Sequence, residues 1–216
     1  MSTIHDRQQE VKRRAAQEAV YEAALEVIGR PDFKGLRMQN VAIQAGIATG
    51  TLYNYFKNKE DLLFYVDRRL HETVLGRIEE ISSRPEPASR RLNDIVEAIF
   101  EVVGRHRAVF DLAERSGIPD KTPAEEGRAL LGSATACFEK VLADGMAEGR
   151  FRSVDARRTS RILLHAIIGI FETHKYLKDY DYGPSRRDLL ALFEDYLQPA
   201  RTAPATLAQG FGIDST

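Results

Sequence analysis

Cysteine is nearly absent: Cys137 stands alone in 216 residues, so no disulfide can form within the chain. Tryptophan is missing and aromatic residues make up only 8%, which speaks against a large multidrug cavity. There is no run of about 18 or more apolar residues, so no membrane-spanning helix and no membrane partner are expected. The opening MSTIHDRQQEVKRR lacks the apolar stretch of a secretory signal. These absences together give a cytoplasmic protein as the expectation. A surplus of one charge sign is lacking too. The net charge of −1 argues against a wholly basic nucleic-acid binder. Internal repeats, glycine-rich phosphate loops and low-complexity tracts do not occur.

Catalytic patterns are also missing. The histidines His5, His71, His106, His165 and His174 form no HExxH and no Cys/His ligand spacing. His165 and His174 lie too far apart along one helical stretch to share a metal ion. Cys137 reads as a small core residue, and the serines and aspartates have no elbow or triad context. The expectation is therefore no enzyme, no metal and no cofactor.

What the chain does have is helical periodicity and enough apolar content, 43%, for a packed core. Residues 6–29 place Ala16, Val20, Ala23, Ala24, Val27 and Ile28 on one face, with Lys12, Arg13 and Arg14 near the start. The residues after Asn58 run as one long helix to about Ser83, with Leu63, Val66, Leu70, Val74, Ile78 and Ile81 at helical spacing. Asn58 to Asp61 has the makings of an N-terminal cap. SSRPEPAS breaks the chain. Further helices are expected over 89–105, 108–115, 124–148, 155–180 and 186–197, with IPDKTPAEEG as a polar loop. Between Ile162 and Phe171 the sequence ILLHAIIGIF is apolar on every side, so that helix must be covered all round. Charge is distributed unevenly: residues 1–70 hold 11 Lys+Arg against 9 Asp+Glu, the remainder 20 against 23. That permits DNA binding by the N-terminal part.

The stretch from Leu36 to Lys59, LRMQNVAIQAGIATGTLYNYFKNK, carries the densest signal. It reads as two short helices joined at Gly46, then the start of a third. Val41, Ala42, Ile47, Leu52 and Phe56 give an apolar side. Thr49, Thr51, Tyr53, Asn54 and Tyr55 crowd the other with neutral hydrogen-bonding groups, which suit phosphates with base edges behind them. VAIQAGIATGTLYNYFKNKEDLL resembles the DNA-binding signature of the tetracycline-repressor family of bacterial regulators. The match lies in the Ala-Gly turn, the Gly-Thr-Leu-Tyr start of the recognition helix, its Tyr-Phe end and the Lys that opens the next helix. The family's usual Ser and Lys before the Gly are Ala48 and Thr49 here. One phosphate contact is thereby lost, and Thr49 becomes the candidate helix cap.

The resemblance implies an all-α fold: a three-helix helix-turn-helix head over 1–58, a connecting helix over 59–83, and a ligand-binding and dimerisation domain over 84–216. It implies a homodimer through a four-helix interface, assigned here to the helices from Ala124 to Glu148 and from Asp155 to Tyr180. By motif position, Arg37, Gln39, Thr49, Gly50, Thr51, Tyr53, Tyr55 and Lys59 would hold the DNA, and Asn54 would read an adenine. The expected function is a transcription regulator, a repressor released from a palindromic operator by a small-molecule effector. Phe100, Val103, His106, Phe110, Phe138, Ile167, Phe171 and His174 are the candidate pocket residues. A helical adaptor or carrier with a non-functional head is the alternative, favoured only by the altered Ala48-Thr49 start.

Overall fold

The computed structural model describes residues 4–173, Leu177 and 181–199. Among the described residues all regular structure is helical. α1 (Ile4–Gly29), α2 (Met38–Gln44) and α3 (Thr49–Tyr53) form the head, and α4 (Lys59–Ser82) leads out of it. The body follows as α5 (Ala88–Arg105), α6 (Arg107–Arg115), α7 (Ile118–Lys121), α8 (Ala124–Ala147), α9 (Ala156–Thr173) and α10 (Tyr182–Leu197).

The turn of the head is set by backbone chemistry. Gly46 takes φ 68°, a left-handed conformation that costs a residue with a Cβ about 1–2 kcal/mol. Its N–H bonds the carbonyl of Ile43 at 3.1 Å, and the N–H of Ile47 reaches back to Ala42 at 3.0 Å. This pair of bonds satisfies carbonyls that the end of α2 leaves open, and it turns Ile47 toward the head core. α3 starts differently from expectation. Ala48 is its N-cap and makes no side-chain bond, and Thr49 is already the first helical residue. The short helix is held instead by Leu52, which is wholly buried. α4 has the cap expected of it. Asn58 Oδ1 accepts from the N–H of Asp61 at 2.8 Å, and Asp61 Oδ2 accepts from the N–H of Lys57 at 2.9 Å.

Two apolar clusters form. One gathers Val20, Ala24, Val27 and Ile28 of α1, Val41 and Ala42 of α2, Leu52, Phe56, and Leu62, Val66 and Leu70 of α4. It also includes Val109 and Ala113 of α6 and Ile118 of α7. The other fills the body, with Ile95 and Ile99 of α5, Phe138 and Leu142 of α8, and Leu163 and Ile167 of α9. α4 contributes to both, through Leu62 to Leu70 at one end and Ile78 and Ile81 at the other.

Two stretches differ from the sequence reading, and a third lies partly outside the described residues. A short helix, α7, stands where a polar loop was expected. Gly117 at φ 66° makes the turn into it, and Pro119 sits in its first turn, where no N–H donor is needed. α10 begins at Tyr182 rather than Arg186, because Asp181 caps it by accepting from the N–H of Gly183 at 2.9 Å. α9 is described to Thr173; its expected continuation over 174–180, Leu177 apart, lies outside the described residues.

Polar links fasten the body. Arg91, with its side chain only 5% exposed, donates to the carbonyl of Ser82 at 2.7 Å and to Asp144 at 2.9 Å, and it pairs with Glu148 at 3.4 Å. This ties the end of α4 to α5 and α8. At the turn from α8 to α9, a Cβ on Gly145 would lie 2.0 Å from the ring of Phe151, so only glycine fits there.

Candidate nucleic-acid interface and cavity

The residues singled out for DNA lie on the outer side of the head. Gln39 faces outward from α2, and Arg37 precedes that helix, also exposed. Gly50, Tyr53 and Asn54 are exposed along α3 and its end, while Thr49, Thr51 and Tyr55 are half-buried. Leu52 points the opposite way, into the core, so its burial fixes which face of α3 is presented. Tyr53 is 52% exposed, unusual for a large ring without a covering partner. Lys59 opens α4 with its side chain 61% exposed and its ammonium 3.8 Å from Glu60, a loose contact. α3 carries no charged residue; Arg37, Lys57 and Lys59 flank it in sequence and are exposed. Arg30, Gln44 and Glu26 hydrogen-bond in a row and fasten the end of α1 to α2.

A cavity of about 680 Å³ opens in the body, within the range of small-molecule sites. Its wall follows α4 through Asp67, His71, Val74, Leu75 and Ile78. Of the residues expected to line a pocket, Val103, Phe110, Ile167 and Phe171 do so. Phe100 does not; it packs behind the wall, its ring 4.7 Å from Phe171. Phe138 is wholly buried in the body core, and His106 sits at the junction of α5 and α6, away from the lining. Burial, then the charge of Arg105, lowers the pKa of His106. His174 lies outside the described residues. The long α4 stretch was read only as core periodicity. Its lining role had a signal in Asp67 and His71, one helical turn apart among apolar residues.

Asp67 is 8% exposed. His71 Nδ1 lies 2.9 Å from the Asp67 carbonyl oxygen and 3.4 Å from its carboxylate, so Nδ1 carries a proton and donates. Burial disfavours the charged ring, but the hydrogen bond and charge of Asp67 outweigh it and hold the pKa of His71 above its ordinary value. The His71 ring meets Phe110 of α6 edge-on at 5.3 Å. Beyond it the wall becomes polar, with Arg107, Asp111, Glu114 and Arg115 from α6 and Glu172 from α9. Arg107 pairs with Asp111 at 3.7 Å and lies over the Tyr182 ring at 5.3 Å.

α6 is thus shared. Val109 and Ala113 are buried in the head cluster, while Phe110, Asp111 and Glu114 line the cavity, and Ala113 touches both. A small polar helix tip on one side of a protein and an apolar cavity on the other, joined by a common helix, define a ligand-responsive DNA-binding regulator.

Similarity to known proteins agrees with that class. The family model described as "Bacterial regulatory proteins, tetR family" matches residues 20–66. The fatty acid metabolism regulator protein of Bacillus subtilis is 24% identical over 180 residues, 83% of this chain and 90% of that protein. The transcriptional repressor KstR2 of Mycolicibacterium smegmatis is 30% identical over 128 residues, 55% of this chain and 59% of that protein. Among solved structures, a TetR transcription regulator from Haloarcula marismortui superposes with a TM-score of 0.70 at 21% identity, covering 86% of this chain and all of that one (100%). FadR from Bacillus subtilis, in complex with stearoyl-CoA, gives 0.61 at 21% identity over 84% of this chain and 99% of that one. Residues 20–66 thus carry the DNA-binding signature of the tetR family of bacterial transcription regulators, and the helical fold of the chain matches that of solved regulators of this kind. Its relatives named here are regulators rather than enzymes. No described helix is long and apolar enough to cross a membrane.

Proposed function

We propose that the protein is a homodimeric repressor that leaves a palindromic operator when a fatty acyl thioester enters the body cavity. The observation that carries this reading is α6, with one face in the head core and the other in the cavity wall. A ligand that displaces Phe110 or the outer side of α6 also displaces Val109 and Ala113, against which the head is packed. Two recognition helices must meet major grooves about 34–36 Å apart, so a tilt that changes their separation weakens both contacts together.

The thioester class is supported by the predominantly apolar lining and by the stearoyl-CoA held by the similarly folded FadR. A dimer is supported by the outer sides of α8 and α9. Ile162 is 56% exposed, and the exposed Gly132, Ala136 and Gly169 let helices approach closely. On DNA, Arg37, Gln39, Thr49, Gly50, Thr51, Tyr53, Tyr55 and Lys59 hold the head while Asn54 reads a base edge, a contact worth about 1–3 kcal/mol of discrimination.

A mobility-shift assay on the DNA flanking the protein's own gene tests the reading. A shifted band released by dodecanoyl-CoA or stearoyl-CoA is the expected result. No shift at low salt, or a shift that neither thioester reverses, refutes it.

A further inference from the structure

The cavity has two chemically different ends. From Asp67 to Ile78 its wall follows α4 over eleven residue steps, a length of about 16 Å at the helical rise. At the Ile78 end the lining is Ile99, Ala134, Leu164 and Ile167, all buried in the body core. Nothing there offers a hydrogen bond. At the Asp67 end stand His71, Asp111, Glu114 and Arg115. A ligand with one polar and one apolar terminus therefore has a single favourable orientation.

His71 is the group that can read the polar terminus. Its Nδ1 is committed to Asp67. Nε2 has no partner among the described residues, although the ring forms part of the cavity wall. Resting on the acyl reading above, we propose that His71 Nε2 donates a hydrogen bond to the effector's acyl carbonyl oxygen, with the chain running along α4 to Ile78. An extended chain advances about 1.2 Å per bond, so about a dozen carbons fill that length. The surrounding charges select among carbonyl compounds. The charged residues of the lining are Asp67 of α4, Glu172 of α9, and Asp111, Glu114, Arg107 and Arg115 of α6. Four carboxylates against two guanidiniums and the charged His71 ring leave a negative surplus, which disfavours a free fatty-acid carboxylate and tolerates a neutral thioester carbonyl. Nε2 donates only from the charged ring, the form that Asp67 favours.

The experiment measures binding of dodecanoyl-CoA, its dodecyl thioether analogue without the carbonyl, and dodecanoate to the full chain by calorimetry. Wild-type protein is expected to prefer thioester over thioether by about tenfold near pH 6, with the preference fading toward about pH 8.5. His71→Phe should bind both equally, with thioether affinity kept. His71→Gln, which donates without titrating, should keep a preference that no longer varies with pH, and it serves if the Phe variant does not fold. Ala134→Phe fills the apolar end and should move the best chain length several carbons shorter. An unchanged preference in His71→Phe, or an unchanged chain-length order in Ala134→Phe, overturns the assignment while leaving the acyl reading intact. Dodecanoate binding as tightly as the thioester overturns the choice of a neutral carbonyl. If neither CoA compound binds the wild-type protein, the acyl reading itself falls and takes the orientation with it.

Discussion

Ile118→Ala tests whether the head depends on a segment far from it in sequence. Ile118 is wholly buried on the four-residue helix α7 and belongs to the cluster that holds α1, α2 and α3 together. Truncation removes three carbons from a closed site, a change that costs about 2–5 kcal/mol in well-packed cores. The lower figure alone raises the locally open population by about thirtyfold. α7 is too short to re-form its packing elsewhere, so the cost should fall on the α1–α4–α6 junction rather than spread over the chain. Hydrogen exchange of peptides spanning 20–56, against peptides spanning 134–167, reads the difference. Leu142→Ala is the control: equally buried, but in the body cluster. Ile118→Ala should raise exchange in the head peptides first and weaken operator binding with it. Leu142→Ala should act first on the body. Head exchange unchanged by Ile118→Ala, with the protein otherwise folded, refutes a head core that includes α6 and α7.

Other consequences are simpler to read. Gly46→Ala meets no atom within 4 Å, so it should cost only the left-handed strain, about 1–2 kcal/mol by denaturant titration. Gly145→Ala, by contrast, drives a methyl into the Phe151 ring and should cost about 1–3 kcal/mol or displace the α8–α9 turn. On DNA, Lys59→Ala should weaken binding to all sequences alike and lower the salt slope by about one, whereas Asn54→Ala should relax discrimination at one base pair. If Tyr53→Phe and Lys59→Ala both leave operator affinity intact, the DNA-contact assignment is wrong. His71, whose folded pKa is raised, contributes stability that is complete below its ordinary value of 6.5 and is lost as pH rises through the folded value. Thermal melts of His71→Gln should lack that alkaline decline.

The head was legible because its signals are local. The Gly46 turn, the Asn58-to-Asp61 cap and the Leu52–Phe56 apolar pair each act within a few residues, and each leaves residue types that only that geometry wants. The Ala48-Thr49 departure misled in a small way. It suggested Thr49 as cap, but a five-residue helix anchored by a fully buried Leu52 forms with no side-chain cap at all. Nothing in the identity of Thr49 could have shown that tertiary packing would outweigh the missing bond.

The body was legible as helices and not as a cavity, and the reason is physical. Core and cavity walls are both built of apolar residues at helical spacing, so Phe100, Phe138 and Ile167 look alike in sequence. The distinction arises from which helices fail to close on each other, a property of pairs of elements separated by many residues. The polar residues break this symmetry. An Asp buried on an otherwise apolar helical face, with a His one turn later, is costly in a sealed core. Asp67 and His71 are tolerated because each has the other and because the space beside them is open. The same logic accounts for α7. IPDKTPAEEG is polar by composition, yet Ile118 is wholly buried, because Gly117 and Pro119 turn the chain back over α4 and α6. Two prolines that read as a loop thus mark the place where body and head close on each other.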